Sequence, residues 1–98
     1  MTNKNVAVEW AKYMLKHNKQ PKLFKGTNFA GKDNYLVSYS KPICQYMGMG
    51  IFKVSTKKYS ANTKRHQYYT NLALMDLQQD NPQIVIERVN EIEGEIFI

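Results

Sequence analysis

The chain has 98 residues, of which 43% are hydrophobic and 22% charged, and its formal net charge is +6. This length fits a single domain over residues 1–98 with one core, and no apolar run reaches the roughly 20 residues that a membrane-spanning helix needs. The single cysteine, Cys44, excludes an internal disulfide, and the N-terminus lacks a signal-peptide pattern. These features predict a soluble protein of the reducing cytoplasm, without a membrane association.

The charges are distributed unevenly along the chain. Residues 1–70 hold thirteen Lys or Arg and two acids, a net +11, whereas residues 71–98 hold one Arg and six acids, a net −5. A basic body of this kind attracts polyanions. The acidic segment is expected either to fold against the basic body or to repel the same partners.

The first predicted element is an amphipathic helix from about Asn3 to Asn18. At helical spacing one apolar face collects Val6, Trp10, Tyr13, Met14 and His17. Asn18 and the nearby Pro21 are predicted to end the helix. Trp10 is expected to be a core residue, because a large aromatic side chain on the apolar face is normally buried.

The middle of the chain has the pattern of strands. Residues 19–34 are basic and interrupted by Pro21, Gly26 and Gly31, and a short edge strand is expected to begin at Leu23 and Phe24. Tyr35, Val37 and Tyr39 alternate with Leu36, Ser38 and Ser40, and this alternation predicts one buried sheet face. Residues 43–56 predict an antiparallel hairpin, whose tight loop at residues 48–50 contains two glycines that can adopt positive φ.

A second helix is predicted from Ala61 to Gln79, with Ser60 as its N-cap. Its expected apolar stripe consists of Tyr68, Tyr69, Leu72, Ala73, Met75 and Leu77. A strand is expected over residues 83–89 and another over residues 95–98. This order predicts an α+β fold, with an antiparallel sheet of three to five strands and two helices packed on one face.

The residues around the start of the second helix form the main candidate site for an anion or a partner. They are Lys57, Lys58, Tyr59, Ser60, Thr63, Lys64, Arg65, His66 and Gln67. Cations near the positive pole of a helix are locally unfavourable, and a bound anion would offset that repulsion. The alternative is that the acidic tail, for example Glu91 or Glu93, neutralises the cluster.

No catalytic or metal-binding pattern stands out in the sequence. His17 and His66 lie on different predicted helices, and neither has Cys or carboxylate neighbours at ligand spacing. His66 is expected to lie on the helix surface, although a pairing with Ser60 or Tyr59 as a general base stays conceivable. The sequence therefore predicts a protein that is not an enzyme and that needs neither a cofactor nor a metal.

Two blocks resemble a signature of small uncharacterised phage-encoded proteins. The blocks are residues 39–43, YSKPI, and residues 58–67, KYSANTKRHQ. In that family a Y-S-Y-x-x-P-I strand precedes a K-Y-S-x-T-T-S-K-H-Q helix start, and this chain differs by Asn62, Lys64 and Arg65. The resemblance, over roughly residues 35–70, implies a phage accessory factor that blocks a host activity. Host immunity, including CRISPR immunity, is one such activity.

Basic charge and the resemblance together predict stoichiometric binding of nucleic acid or of a host complex that handles nucleic acid. Seven tyrosines among many lysines are compatible with base stacking beside phosphate contacts, although tyrosines are equally common in cores and protein interfaces. The alternative function is capture of a small phosphorylated ligand at the N-terminus of the second helix.

Overall fold

The computed structural model describes residues 1–17 and 22–98. Two helices and six strands lie in these ranges. They are, in chain order, α1 (Asn3–His17), β1 (Leu23–Lys25), β2 (Phe29–Lys32), β3 (Tyr35–Ser38), β4 (Lys41–Tyr46), β5 (Ile51–Ser55), α2 (Ala61–Asp80) and β6 (Val85–Val89). The predicted end of the first helix at Asn18 and Pro21 lies outside the described residues.

The six strands form one sheet in the order of the sequence. β1 to β5 form an antiparallel meander, and β6 adds to β5 in parallel, with Ile51 opposite Val85 and Ser55 opposite Val89. The predicted α+β class and two helices are confirmed. The expected number of three to five strands is wrong, since the sheet has six. The sheet is also not purely antiparallel, because α2 is a crossover that returns the chain to the start of β5. β2 lies within residues 19–34, where no strand was predicted beyond the one that begins at Leu23 and Phe24.

Both helices cover the same face of the sheet, and α1 supplies much of the core. Its buried side chains are Val6, Ala7, Trp10, Ala11 and Met14. Trp10 is fully buried as predicted, with its ring edge-on to Phe52 at 5.8 Å between centroids and its Nε1 donating to the Asp33 carbonyl at 3.1 Å. His17, the last residue of α1, is exposed, contrary to prediction, and its ring lies 4.5 Å from that of Tyr13 between centroids.

The two helices run in the same direction across the sheet. At their starts, the Asn3 side chain reaches His66 of α2. Further along, Val8 and Lys12 of α1 line a groove together with Asp76 and Asp80 of α2. The N-terminal ends of both helices therefore lie at one end of the molecule, where their positive dipole ends add.

The C-terminal residues 90–98, here called the strap, cross the sheet face that the helices leave free. Ile92 is 8% exposed and lies beside Tyr35, Gln45 and Lys53, which belong to three neighbouring strands. Residues 95–98 form no strand, contrary to prediction: the strap runs across the strands, and the backbone hydrogen bond found for this stretch is from Ile96 N to Ser40 O.

No helix in residues 1–17 or 22–98 is long and apolar enough to span a bilayer. Cys44 is free and fully buried in the core, and burial raises the pKa of its thiol. It therefore packs as a small apolar side chain.

Candidate functional site

Ser60 is the N-cap of α2, as predicted. Its backbone is extended, with φ −61° and ψ 165°, and its Oγ accepts a hydrogen bond from the Thr63 amide at 3.4 Å. The cap holds the first turn so that Thr63 and His66 face the sheet while Lys64 and Arg65 face solvent. The candidate residues therefore divide into an inward set and an outward set.

His66 belongs to the inward set and is only 4% exposed, so the predicted surface position is wrong. Its ring stacks on Phe29, with 4.6 Å between centroids and 10° between planes. Nδ1 lies 2.6 Å from Ser38 Oγ, and Nε2 lies 3.3 Å from Asn3 Nδ2. The hydroxyl partner of His66 is therefore Ser38, and neither Ser60 nor Tyr59 has that role.

The donors and acceptors around His66 assign its tautomer. Asn3 Oδ1 accepts from the Thr27 amide at 2.8 Å, so the Asn3 Nδ2 group faces Nε2 as a donor. Nε2 then accepts, and Nδ1 carries the proton and donates to Ser38, whose hydroxyl donates in turn to Thr63 Oγ1 at 2.9 Å. A general base would instead take the proton of Ser38, so this direction is opposite to that of an activated serine.

Two features keep the His66 imidazole neutral. Burial lowers its pKa below the usual value of 6.5, and the nearby positive charge of Arg65 lowers that pKa further. Ser38 is 0% exposed, so no substrate reaches its hydroxyl without a rearrangement. The arrangement holds α1, β3 and α2 together through hydrogen bonds.

Gln67 and Tyr59, the remaining inward residues, hold in place the segment that precedes α2. Gln67 Nε2 donates to the carbonyls of Ser55 and Lys57, both at 3.1 Å. Tyr59 packs against the core, and its buried Oη has no hydrogen-bond partner among the described residues. Lys57 Nζ lies 5.4 Å from the centroid of the Tyr59 ring. These contacts fix the path of residues 55–60.

The outward set is basic, and the strap neutralises only part of it. Lys57 Nζ lies 2.7 Å from Glu91, as the neutralisation alternative predicts. Lys58, Lys64 and Arg65 are exposed, and within residues 1–17 and 22–98 no carboxylate oxygen lies within 4 Å of their side-chain nitrogens. The strap therefore leaves three cations of the predicted cluster without an ion pair in the described structure.

Lys64 lines an open groove between α2 and the β5–β6 edge of the sheet, here called the basic groove. Its volume is about 310 Å³, and Arg88 of β6 adds a second cation to it. Tyr68 and Asn71 complete the α2 side, and Thr56 lies at the end of β5. The sequence analysis missed Arg88 and Tyr68 as site residues, because only the parallel pairing of β6 with β5 brings Arg88 opposite Val54.

Tyr39 lies apart from the sheet face on which it was predicted. β3 ends at Ser38, and Tyr39 has a positive φ of 60° and is 43% exposed. Its amide donates to the Asn28 carbonyl at 2.8 Å, and its hydroxyl accepts from Asn62 Nδ2 at 3.0 Å. Tyr39 thereby links the β3–β4 turn to the first turn of α2.

Residues 8–88 match a family of unknown function (DUF8033). The chain belongs to this family. The match includes α1 from Val8 onward, the whole of α2, all six strands except the last residue of β6, and the basic groove, whereas the strap follows the matched residues. No curated protein and no solved structure matches the chain significantly.

Proposed function

We propose that this protein binds nucleic acid, free or within a host complex that handles nucleic acid, through the basic groove. The observation that supports this most is the convergence of Lys64 and Arg88 from two different elements, beside the exposed ring of Tyr68. Phosphate contacts by Lys and Arg supply most of the affinity of non-specific nucleic-acid binding. A neighbouring exposed aromatic ring offers a surface on which a base can stack.

The charge around the groove favours a polyanion over a neutral partner. Lys58 and Arg65 are exposed near the N-terminus of α2, where the helix dipole adds positive potential. Asp76 and Asp80 are at the far end of α2, and Glu91 pairs with Lys57. Glu87 precedes Arg88 on β6, but it lies opposite Lys53 in the register and therefore on the other face of the sheet. A negatively charged strand therefore meets mainly cations along this part of the surface.

The resemblance to small phage-encoded proteins supports a biological setting for this activity. In that setting the protein acts stoichiometrically in the cytoplasm of an infected cell, as an accessory factor that inhibits a host defence complex. The inward orientation of His66 and the direction of its hydrogen bonds favour binding over catalysis. Co-purification from infected cells, followed by mass spectrometry and nucleic-acid extraction, would identify the partner.

The groove is tested by the double variant Lys64→Ala/Arg88→Ala, with Lys12→Ala/Lys16→Ala as a matched control that removes two cations from α1. Affinity for a mixed-sequence single-stranded oligonucleotide is measured across a salt series. Binding by the wild type should weaken steeply with salt, and the groove variant should lower the slope of log K against log salt by about 1.4, at about 0.7 per lost phosphate contact. Equal losses in both double variants would show that the affinity reflects net charge alone, and absent binding in low salt would exclude nucleic acid.

A second candidate is the capture of a small phosphorylated ligand at the N-terminus of α2. The observation in its favour is that Lys58 and Arg65 stand without ion pairs in the described structure, near a helix start capped by Ser60. Millimolar phosphate or nucleotide should then raise the melting temperature. That rise should vanish in Arg65→Ala and persist in Arg88→Ala. Oligonucleotide binding in the basic groove should instead weaken in Arg88→Ala and persist in Arg65→Ala.

A further inference from the structure

The strap is attached to the sheet mainly through charged and polar contacts. Glu91 pairs with Lys57 at 2.7 Å, and Glu95 pairs with Lys41 at 2.8 Å. Lys32 Nζ donates to the Phe97 carbonyl at 2.8 Å. All these contacts lie at the molecular surface, where salt and water weaken ion pairs.

The apolar attachment of the strap is small. Ile92 is the one strap residue that is buried, and it lies outside the main core beneath the helices. Phe97 is 72% exposed and Ile98 is 40% exposed. A segment held by one buried side chain and a few surface ion pairs opens far more readily than the sheet beneath it.

The surface beneath the strap is basic. Its four lysines come from β2, β4, β5 and the segment after β5, and they are Lys32, Lys41, Lys53 and Lys57. One acid of the sheet, Glu87 of β6, lies opposite Lys53 in the register. Lys53 shares a cavity of about 220 Å³ with Glu91 and Glu93, and Tyr35 also lines that cavity. The strap therefore places an acid at every second residue, at Glu91, Glu93 and Glu95, along this row of lysines. The ring of Tyr35 lies beside the same row.

We propose that the sheet face beneath the strap is a second surface for a nucleic-acid strand, and that the strap occupies it as an internal competitor. This inference extends the proposed function to the opposite side of the molecule from the helices. The strap shows what the surface accepts, namely a linear series of negative charges. A phosphate backbone has the same character, and displacement of the strap would free the Tyr35 ring, beside which Ile92 lies, for base stacking.

The test uses the full chain with Glu91→Gln/Glu93→Gln/Glu95→Gln, which removes the three charges and keeps Ile92. The control variant Glu9→Gln/Asp76→Asn/Asp80→Asn removes three acids elsewhere, so both variants have the same net charge. Affinity for a fluorescent single-stranded oligonucleotide should rise by about tenfold more in the strap variant than in the control, because phosphate contacts are gained beneath the strap. Adding Lys53→Ala to the strap variant should reverse that gain, with thermal melts confirming that each variant folds.

Hydrogen exchange of the wild type provides a second readout. Excess oligonucleotide should speed exchange of the Ile96 amide, which donates to the Ser40 carbonyl at 2.9 Å only while the strap is in place. The inference is overturned if the strap and control variants gain affinity equally, or if neither binds. It is also overturned if the strap variant prefers polyglutamate to the oligonucleotide, since the surface would then recognise an acidic protein segment. These outcomes are separable from failure of the basic groove, which the Lys64→Ala/Arg88→Ala variant reports independently.

Discussion

The Oγ atom of Ser38 lies 2.6 Å from Nδ1 of His66, in a site closed to solvent between the sheet and the second helix. Through Nε2, the same ring reaches Asn3 at the start of the first helix. One side chain thus connects α1, β3 and α2. Buried hydrogen-bond networks of this kind are costly when incomplete, so they specify one relative position of the elements that they join.

We predict that Ser38→Ala destabilises the fold by about 1–3 kcal/mol, because it leaves His66 Nδ1 without its acceptor and removes the donor to Thr63. Urea denaturation followed by tryptophan fluorescence measures this, since Trp10 is the one tryptophan. A serine-directed fluorophosphonate should fail to label the wild type. Labelling that disappears in an equally stable Ser38→Ala variant would instead indicate a nucleophile and overturn the hydrogen-bond assignment.

The stability of the protein should fall as the solution is acidified through the usual range of histidine. Burial and Arg65 lower the pKa of His66 in the folded state below 6.5, so the unfolded chain binds a proton that the folded chain refuses. The stability that this lowered pKa affects is present in full at pH 7 and above, and it is lost progressively as the pH falls below 6.5 toward the pKa of His66 in the folded state. Denaturation midpoints between pH 7.5 and 5 in a His17→Gln background isolate this effect, and NMR titration of the remaining imidazole should show the lowered pKa directly.

Tyr59→Phe should leave the fold unchanged or make it more stable. The Tyr59 hydroxyl is buried without a partner in the described structure, and an unpaired buried hydroxyl costs about 1–3 kcal/mol. Phenylalanine keeps the ring that packs against the core. Thermal melts decide the matter, with Tyr46→Phe as the control, because the Tyr46 hydroxyl accepts from the Gly50 amide at 3.0 Å and its loss should destabilise. Destabilisation by Tyr59→Phe would show that this hydroxyl is hydrogen-bonded in solution.

The sequence predicted the bounds of α2 well but its buried face poorly. Ser60 and residues 61–79 agree with the observed cap and helix. The apolar stripe was expected to include Tyr68 and Met75, which are 58% and 53% exposed, whereas the buried side chains are Thr63, His66, Thr70, Ala73 and Leu74. Hydrophobic periodicity misses a face on which three of five positions are polar, because their burial depends on hydrogen-bond partners from other elements.

The site was only partly visible in the sequence for a related reason. The basic cluster at the start of α2 was predictable from local spacing. Its neutralisation by Glu91 or Glu93 of the tail was the alternative prediction, and the pair of Glu91 with Lys57 fulfils it for one cation. The basic groove was not predictable, because only the parallel addition of β6 to β5 brings Arg88 into the same groove as Lys64. Likewise, residues 95–98 were predicted to form a strand, but they belong to the strap, which crosses the sheet and whose path is determined by contacts distant in sequence.

Gly31→Ala should destabilise the fold by about 1–3 kcal/mol through overpacking. A Cβ atom at this position would lie 2.7 Å from Trp10 Cγ and 2.8 Å from Trp10 Cβ, and Trp10 is fully enclosed. Chemical denaturation should show the loss, with Gly48→Ala as a comparison in which an added Cβ meets no atom and only the positive φ is strained. Trp10→Ala should cost more, about 3–5 kcal/mol, because it leaves a large cavity. A Gly31→Ala variant as stable as the wild type would mean that α1 lies farther from β2 than described.

Arg65→Ala distinguishes a cation held for a ligand from one that stabilises the fold. Arg65 is exposed and lies near the positive end of α2, and no carboxylate oxygen lies within 4 Å of its guanidinium in residues 1–17 and 22–98. Its removal should therefore leave the free energy of unfolding unchanged or raise it by about 0.3–1 kcal/mol. Lys57→Ala, which loses the exposed pair with Glu91, should cost no more than about 1 kcal/mol. Because the charge of Arg65 lowers the pKa of His66, Arg65→Ala should also raise that pKa toward 6.5, so the loss of stability on acidification should become smaller and end at a higher pH. Urea denaturation at pH 7.5 and an NMR titration of His66 measure the two effects. A marked loss of stability in Arg65→Ala at pH 7.5 would show that the strap or another acid neutralises Arg65 in solution, and it would remove this cation from the proposed anion-binding surface.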